Sequence, residues 1–184
     1  MTIGTVLLAA AGLMILWAVS IYNRLVRLKN LAREGWSGID VQLKRRADLI
    51  PNLVEAVKGY MTHERELLSR VTELRSKSLQ AREVSEKSRL EDEISRSLAN
   101  ILAVAEGYPD LKANTNFLDL QARLAQVEEE LQMSRRYYNG AARELNIKIE
   151  SFPSNLIADV FRFSPMEFFE IADAGERAVP QVRF

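Results

Sequence analysis

From Ile3 to Tyr22 the chain reads IGTVLLAAAGLMILWAVSIY, twenty residues without a charge. As a helix this stretch spans about 30 Å, the thickness of a hydrocarbon core. Beyond Tyr22 no segment keeps a period of two, and apolar residues recur instead at helical spacing. The first such segment runs from about Arg24 to Ser78, its stripe passing through Trp36, Ile39, Leu43, Ile50, Val57 and Val71. The second runs from about Val84 to Tyr108, with Leu90, Ile94, Leu98, Ile101 and Ala105 on one face. The third runs from about Asn116 to Ser151, with Phe117, Leu124, Leu131, Tyr138, Leu145 and Ile149 on its seam. That seam keeps a 3-4 alternation for about five heptads, as coiled-coil-like packing requires. The pattern predicts an all-α protein: an N-terminal membrane helix, then an antiparallel bundle of three to four long helices.

The breaks are marked as clearly as the helices. Residues 76–88 are polar and serine-rich, as a turn between antiparallel helices should be. Tyr108-Pro109 directs the chain out of the second helix, and Pro109 can open the next turn. Asn114-Thr115-Asn116 supplies a cap, and Phe152-Pro153 closes the third helix. Ser164-Pro165-Met166-Glu167 has the form of a capping box and predicts a short amphipathic helix carrying Phe168 and Phe169. Pro51 lacks the N–H that an interior helical position needs, so it should kink the first long helix or split it in two. Gly35 and Gly38 should loosen that helix nearer the membrane. The organisation expected is an anchor over residues 1–22 and a helical bundle over residues 23–184. The tail from Val179 to Phe184 either lies along the bundle or is disordered, unless it adds to a partner's sheet edge.

Flanking charge bears on the membrane segment. Arg24, Arg27, Lys29 and Arg33 follow it at once, and only the amino terminus precedes it. The positive-inside rule then places the N-terminus outside and the bundle in the cytoplasm. Ala18-Val19-Ser20 resembles a signal-peptide cleavage site. The basic segment that opens a signal peptide is missing, however, which favours an uncleaved anchor. These four basic residues also lie close enough to the bilayer to meet anionic lipid.

Over the whole chain 25 basic residues balance 25 acidic ones, which argues against a nucleic-acid partner. The distribution is uneven: residues 24–80 hold 12 basic and 7 acidic side chains, and residues 81–133 hold 6 and 11. The first two helices should therefore attract one another, although surface pairs are worth under about 1 kcal/mol each. With no cysteine and one histidine, thiolate and multi-histidine metal sites are excluded. His63 in His63-Glu64-Arg65-Glu66 has Leu67 where a zincin would place its second histidine. Glu128-Glu129-Glu130 point in successive directions round a helix and suit a solvated face better than a cation site. No phosphate loop, nucleophile elbow or cofactor site is legible, so the expectation is a non-enzymatic protein without catalytic, cofactor-binding or metal residues.

Polar residues beside the apolar stripes need a role. Asp40, Arg46, Asp48 and Asn52 accompany Pro51 on the first helix, and Tyr137, Tyr138, Asn139 and Asn146 lie on the third. If these helices pack together, the groups form a hydrogen-bonded layer that fixes register. The Ala47 carbonyl, deprived of its usual partner by Pro51, is a natural acceptor for an Asn or Arg side chain. A binding cleft or a catalytic site at the kink is the alternative use of the same groups.

Ordered motifs run through these segments: Asp40-Val41-Gln42-Leu43-Lys44-Arg45-Arg46, Asp48-Leu49-Ile50-Pro51-Asn52-Leu53-Val54, Lys58-Gly59-Tyr60 and His63-Glu64. Ala105-Glu106-Gly107-Tyr108-Pro109, Arg136-Tyr137-Tyr138-Asn139 and Phe152-Pro153 follow. In these the chain resembles the LemA family of bacterial membrane proteins. The resemblance implies an N-terminal helix in the bacterial inner membrane, a bundle of long helices and no established biochemical activity. It also implies kinship to proteins of magnetosome formation. Lipid around residues 3–22 and a protein partner or second copy of the chain are the expected contacts, giving a membrane-anchored scaffold or adaptor.

Overall fold

The computed structural model describes residues 2–61 and 63–169. Among these residues are six helices and no strand, so the fold is all-α. Helix α1 spans Ile3–Lys58, α2 Arg65–Gln80, α3 Val84–Ala105, α4 Pro109–Lys112, α5 Thr115–Glu150 and α6 Ser154–Val160. The chain divides into two compact units. The terminal unit joins the chain up to Ile39 with Met133–Phe168, and the central unit is Asp40–Gln132.

Helix α1 passes through Pro51 without a break, so of the kink or split expected there the split does not occur. The orphaned Ala47 carbonyl accepts a hydrogen bond of 2.5 Å from Arg75 Nε on α2, which replaces the bond that the proline ring removes. The break comes at Gly59 instead. There the Tyr60 and Met61 amides both donate to the Val57 carbonyl and close the last turn. Gly35 does not loosen the helix either. A Cβ at Gly35 would lie 2.9 Å from Tyr138 Cα, so its missing side chain lets α1 and α5 approach closely within the terminal unit.

The core of the central unit gathers Leu53 and Val57 of α1, Met61 just after it, Val71 of α2, Ile101 of α3 and Leu111 of α4, all nearly or fully buried. Helices α2 and α3 double back on each other across the turn at residues 81–83. Asn114 caps α5: its Oδ1 accepts from the Asn116 amide at 2.9 Å and the Phe117 amide at 3.2 Å. In the terminal unit Ile21, Leu25 and Leu28 of α1 pack on Leu145 and Ile149 of α5 and Ala158 of α6.

Helix α6 was not foreseen. The capping box at Ser164–Glu167 opens no helix over residues 164–169, and the rest of that expected helix lies outside the described residues. Asn146 ties this segment to α5. Its Nδ2 donates to the Met166 carbonyl and its Oδ1 accepts from the Met166 amide, each at 2.9 Å. The tail from Val179 likewise lies outside the described residues.

Candidate functional site

The residues expected to form one polar layer are divided between the two units. Arg46 is the hub of the central unit, with 1% of its surface exposed. Its Nη2 donates to Glu91 Oε2 and, at 3.0 Å, to the Glu91 carbonyl. Its Nη1 reaches Ser95 Oγ at 2.6 Å and Glu128 Oε2 at 2.7 Å. Ser78 Oγ donates to the second oxygen of Glu91, and Gln132 Nε2 donates to Glu128 Oε1 at 3.0 Å. One guanidinium thus connects α1, α3 and α5, and Glu91 carries the connection to α2. Arginine suits this node because its planar fork offers several donors in fixed directions.

Weaker pairs surround it. Arg45 meets Glu130 at 2.9 Å, Lys87 meets Asp40 at 2.5 Å and Arg70 meets Glu93 at 2.8 Å. The attraction expected between the basic first segment and the acidic second one is therefore drawn as specific bonds. The Glu128–Glu130 run is not simply solvated: two of its three carboxylates face arginines of α1. Asp48, by contrast, lies on the surface against Lys44, and Pro51 and Asn52 are exposed.

Tyr138 and Asn146 belong to the terminal unit. Tyr138 is 1% exposed, its hydroxyl donates to the Glu167 carbonyl at 2.6 Å, and its ring meets Trp36 edge-on at 5.5 Å. Burial, and secondarily the nearby Glu167, push the Tyr138 phenol above its ordinary value. With Asn146 on Met166, these two side chains hold the segment after α6 against α5. Asn139 is half-buried on the same helix.

At the loops of the central unit, Tyr108 donates to Glu64 Oε1 at 2.7 Å, and Asn114 Nδ2 reaches the Tyr60 hydroxyl at 3.3 Å. The bond to Glu64 raises the Tyr108 phenol, with burial adding to it. His63 stands beside Glu64 and is exposed. Between the end of α1 and α2 an open groove of about 890 Å³ has Val54, Met61 and Leu68 on its floor and Lys58, Arg65 and Glu73 at its rim. Lys77 holds the Glu73 carboxyl below the usual range.

Sequence reasoning missed Glu91, Ser78, Ser95 and Arg75. The available signal was positional: Glu91 adjoins the stripe residues Leu90 and Ile94 on the acidic helix that should face the basic one.

The sequence model of the LemA family matches residues 35–184, most of the chain. The chain belongs to the LemA family. Protein LemA of Metamycoplasma hominis is 29% identical over 153 residues, covering 82% of this chain and 69% of that protein. Magnetosome protein MamQ 2 of Paramagnetospirillum magneticum is 21% identical over 184 residues, covering 86% and 68%. Magnetosome protein MamQ of Magnetospirillum gryphiswaldense is 20% identical over 189 residues, covering 88% and 70%. Several residues by which the LemA resemblance was recognised are the ones just described in structural bonds: Arg46, Tyr60, Glu64, Tyr108 and Tyr138.

Proposed function

We propose that the protein is a non-catalytic membrane-anchored scaffold or adaptor, with its N-terminus outside and its bundle cytoplasmic. The observation that carries this reading is where the polar motif residues are spent. Arg46 joins helices, Tyr138 and Asn146 fix a backbone segment, and Tyr60 and Glu64 fasten loops. Their donors and acceptors serve the fold, and the exposed Pro51 and Asn52 offer no enclosed cleft for the enzymatic alternative. The anchor reading rests on the first turns of α1, where an 18-residue window has mean hydropathy 2.1 and none of it is buried. An apolar surface of that extent matches a bilayer better than water.

The groove beside α2 is the surface that suits a partner or a second copy, since its apolar floor is rimmed by charges of both signs. A photo-crosslinker at Ser69 or Ser76, in the full chain in its own membrane, tests this. A discrete protein adduct is expected. A chain that stays monomeric and partnerless under those conditions overturns the scaffold reading.

A further inference from the structure

The terminal unit carries exposed apolar side chains in and beside α6. Helix α6 buries Ser154 and Ala158 against the unit and turns Leu156 and Val160 outward, where they are 56% and 73% exposed. Phe152 before it and Phe161 after it are also outward, at 80% and 55%. Four large apolar side chains in and next to one short element are thus exposed, which water disfavours.

The height of this element is fixed by α1. Ala158 packs on the cluster of Ile21, Leu25 and Leu28, in the turns that adjoin the end of the uncharged segment. The Phe161 ring lies 4.6 Å from that of Tyr22, the last residue of the segment, and Phe163 lies 5.8 Å from it. Tyrosine at the end of a span belongs at the headgroup level. If Tyr22 is there, Phe161 and α6 are there too.

The charges around this element agree with that level. Lys29 Nζ lies 5.5 Å from the centre of the Phe163 ring. A cleft of about 270 Å³ opens between Phe161 and Phe163 on one side and Lys29, Asn30 and Arg33 on the other. Arg162 ends α6 with φ 55°, in the left-handed region where glycine is usual. The Phe163 amide bonds back to the Ala158 carbonyl at 2.9 Å, completing that termination. A cation thus occupies a position where backbone geometry alone favours glycine. Asp159 is exposed beside Leu156 and Val160, and its carboxylate keeps any insertion shallow.

We propose that α6 with Phe152 and Phe161 is an interfacial membrane element. It inserts shallowly into the leaflet from which α1 emerges, while Lys29, Arg33 and Arg162 meet the phosphates of anionic lipid. Apolar tips backed by basic side chains are the combination by which surface elements hold such a leaflet. The proposal rests on the anchor reading above, and its test separates the two.

The chain has no cysteine, so single labels are clean. The full chain is reconstituted with a fluorophore on Leu156→Cys, Val160→Cys or, as a reference within the span, Leu13→Cys. The vesicles are phosphatidylcholine with or without phosphatidylglycerol and carry quenchers at shallow or deep positions on the lipid. The expected result is loss of Leu156 and Val160 fluorescence to the shallow quencher, greater when phosphatidylglycerol is present, with Leu13 responding to the deep one. If Leu13 is quenched while Leu156 and Val160 stay bright, the anchor stands and the proposal falls. The same holds if they are shielded from lipid and aqueous quenchers alike, as beneath a protein partner. Equal quenching in both vesicle types overturns the contact with anionic headgroups. No quenching at Leu13 overturns the anchor reading and this proposal with it.

Discussion

A guanidinium removed from water between two carboxylates is held by geometry, because desolvation offsets much of the attraction. Removing one member of the Arg46 cluster is therefore worse than removing the central pair. Arg46→Met should lower stability by about 3–5 kcal/mol, since Glu91 is left buried without its cation. The double variant Arg46→Met with Glu91→Leu should recover part of that loss. Denaturant unfolding in micelles distinguishes the two, and a double variant no better than the single one would show that the cluster's worth lies in attraction itself. Tyr138 offers a pH handle. Its phenol is raised in the folded state, so its contribution is complete below the unfolded value near 10 and is lost as pH rises through the folded value. Tyr138→Phe should remove this part of the alkaline destabilisation, at a cost of about 1 kcal/mol at neutral pH for the missing bond to Glu167. Melting temperatures on either side of pH 10 check it. At this scale the polar residues that the fold bonds were easier to pick out in the sequence than the partners they meet. Arg46, Tyr138 and Asn146 were visible as polar groups beside apolar stripes. Glu91 was not, because an acid beside a stripe reads the same whether it faces water or an arginine from another helix.

The long helices were legible because burial follows the period closely. Ile39, Leu43, Ile50 and Val57 of α1 and Phe117, Leu124, Leu131 and Leu145 of α5 are all buried. Leu131→Ala should cost about 2–5 kcal/mol by equilibrium unfolding, and a loss under about 0.5 kcal/mol would move that residue to the surface. Of the kink or split expected at Pro51 the split did not occur, because the proline was weighed without the distant arginine that compensates it. Helix α6 escaped notice because two helical turns give too few positions for a period, and its outward residues are as apolar as its inward ones. The two glycines expected to act alike should behave oppositely. Gly35→Ala places a methyl 2.9 Å from the Tyr138 backbone and should destabilise by about 1–3 kcal/mol. A methyl at Gly38 finds Ser134 Oγ at 3.8 Å, an ordinary contact, so Gly38→Ala should gain up to about 1 kcal/mol of helix propensity. Thermal melts of the pair in one detergent decide the matter.

For the whole chain, an all-α fold with an apolar N-terminal helix was readable from periodicity and from one uncharged run. The division into two units was not, since the stripes of α1 and α5 pass residues 39–40 and 132–133 without a change of pattern. Orientation is the prediction that belongs here. The basic residues Arg24 to Arg33 after the span should keep a reporter fused after Phe184 active only in the cytoplasm. Activity of a periplasm-dependent reporter would instead turn the bundle toward the envelope. The terminal unit is assembled from two segments of the chain with residues 40–132 lying between them in sequence, and this has a consequence during synthesis. Leu25 and Leu28 leave the ribosome early, but Leu145, Ile149 and Ala158, which cover them, are translated more than a hundred residues later. At about 5–20 residues per second that is a wait on the order of ten seconds. Through that interval the nascent chain exposes an unmatched apolar seam next to its hydrophobic run, and residues 40–132 are completed before that seam is covered. A translational arrest just after Gln132 would leave that seam permanently bare, so nascent chains halted there should be bound by chaperones and cut by proteases far more readily than chains that have reached Phe163.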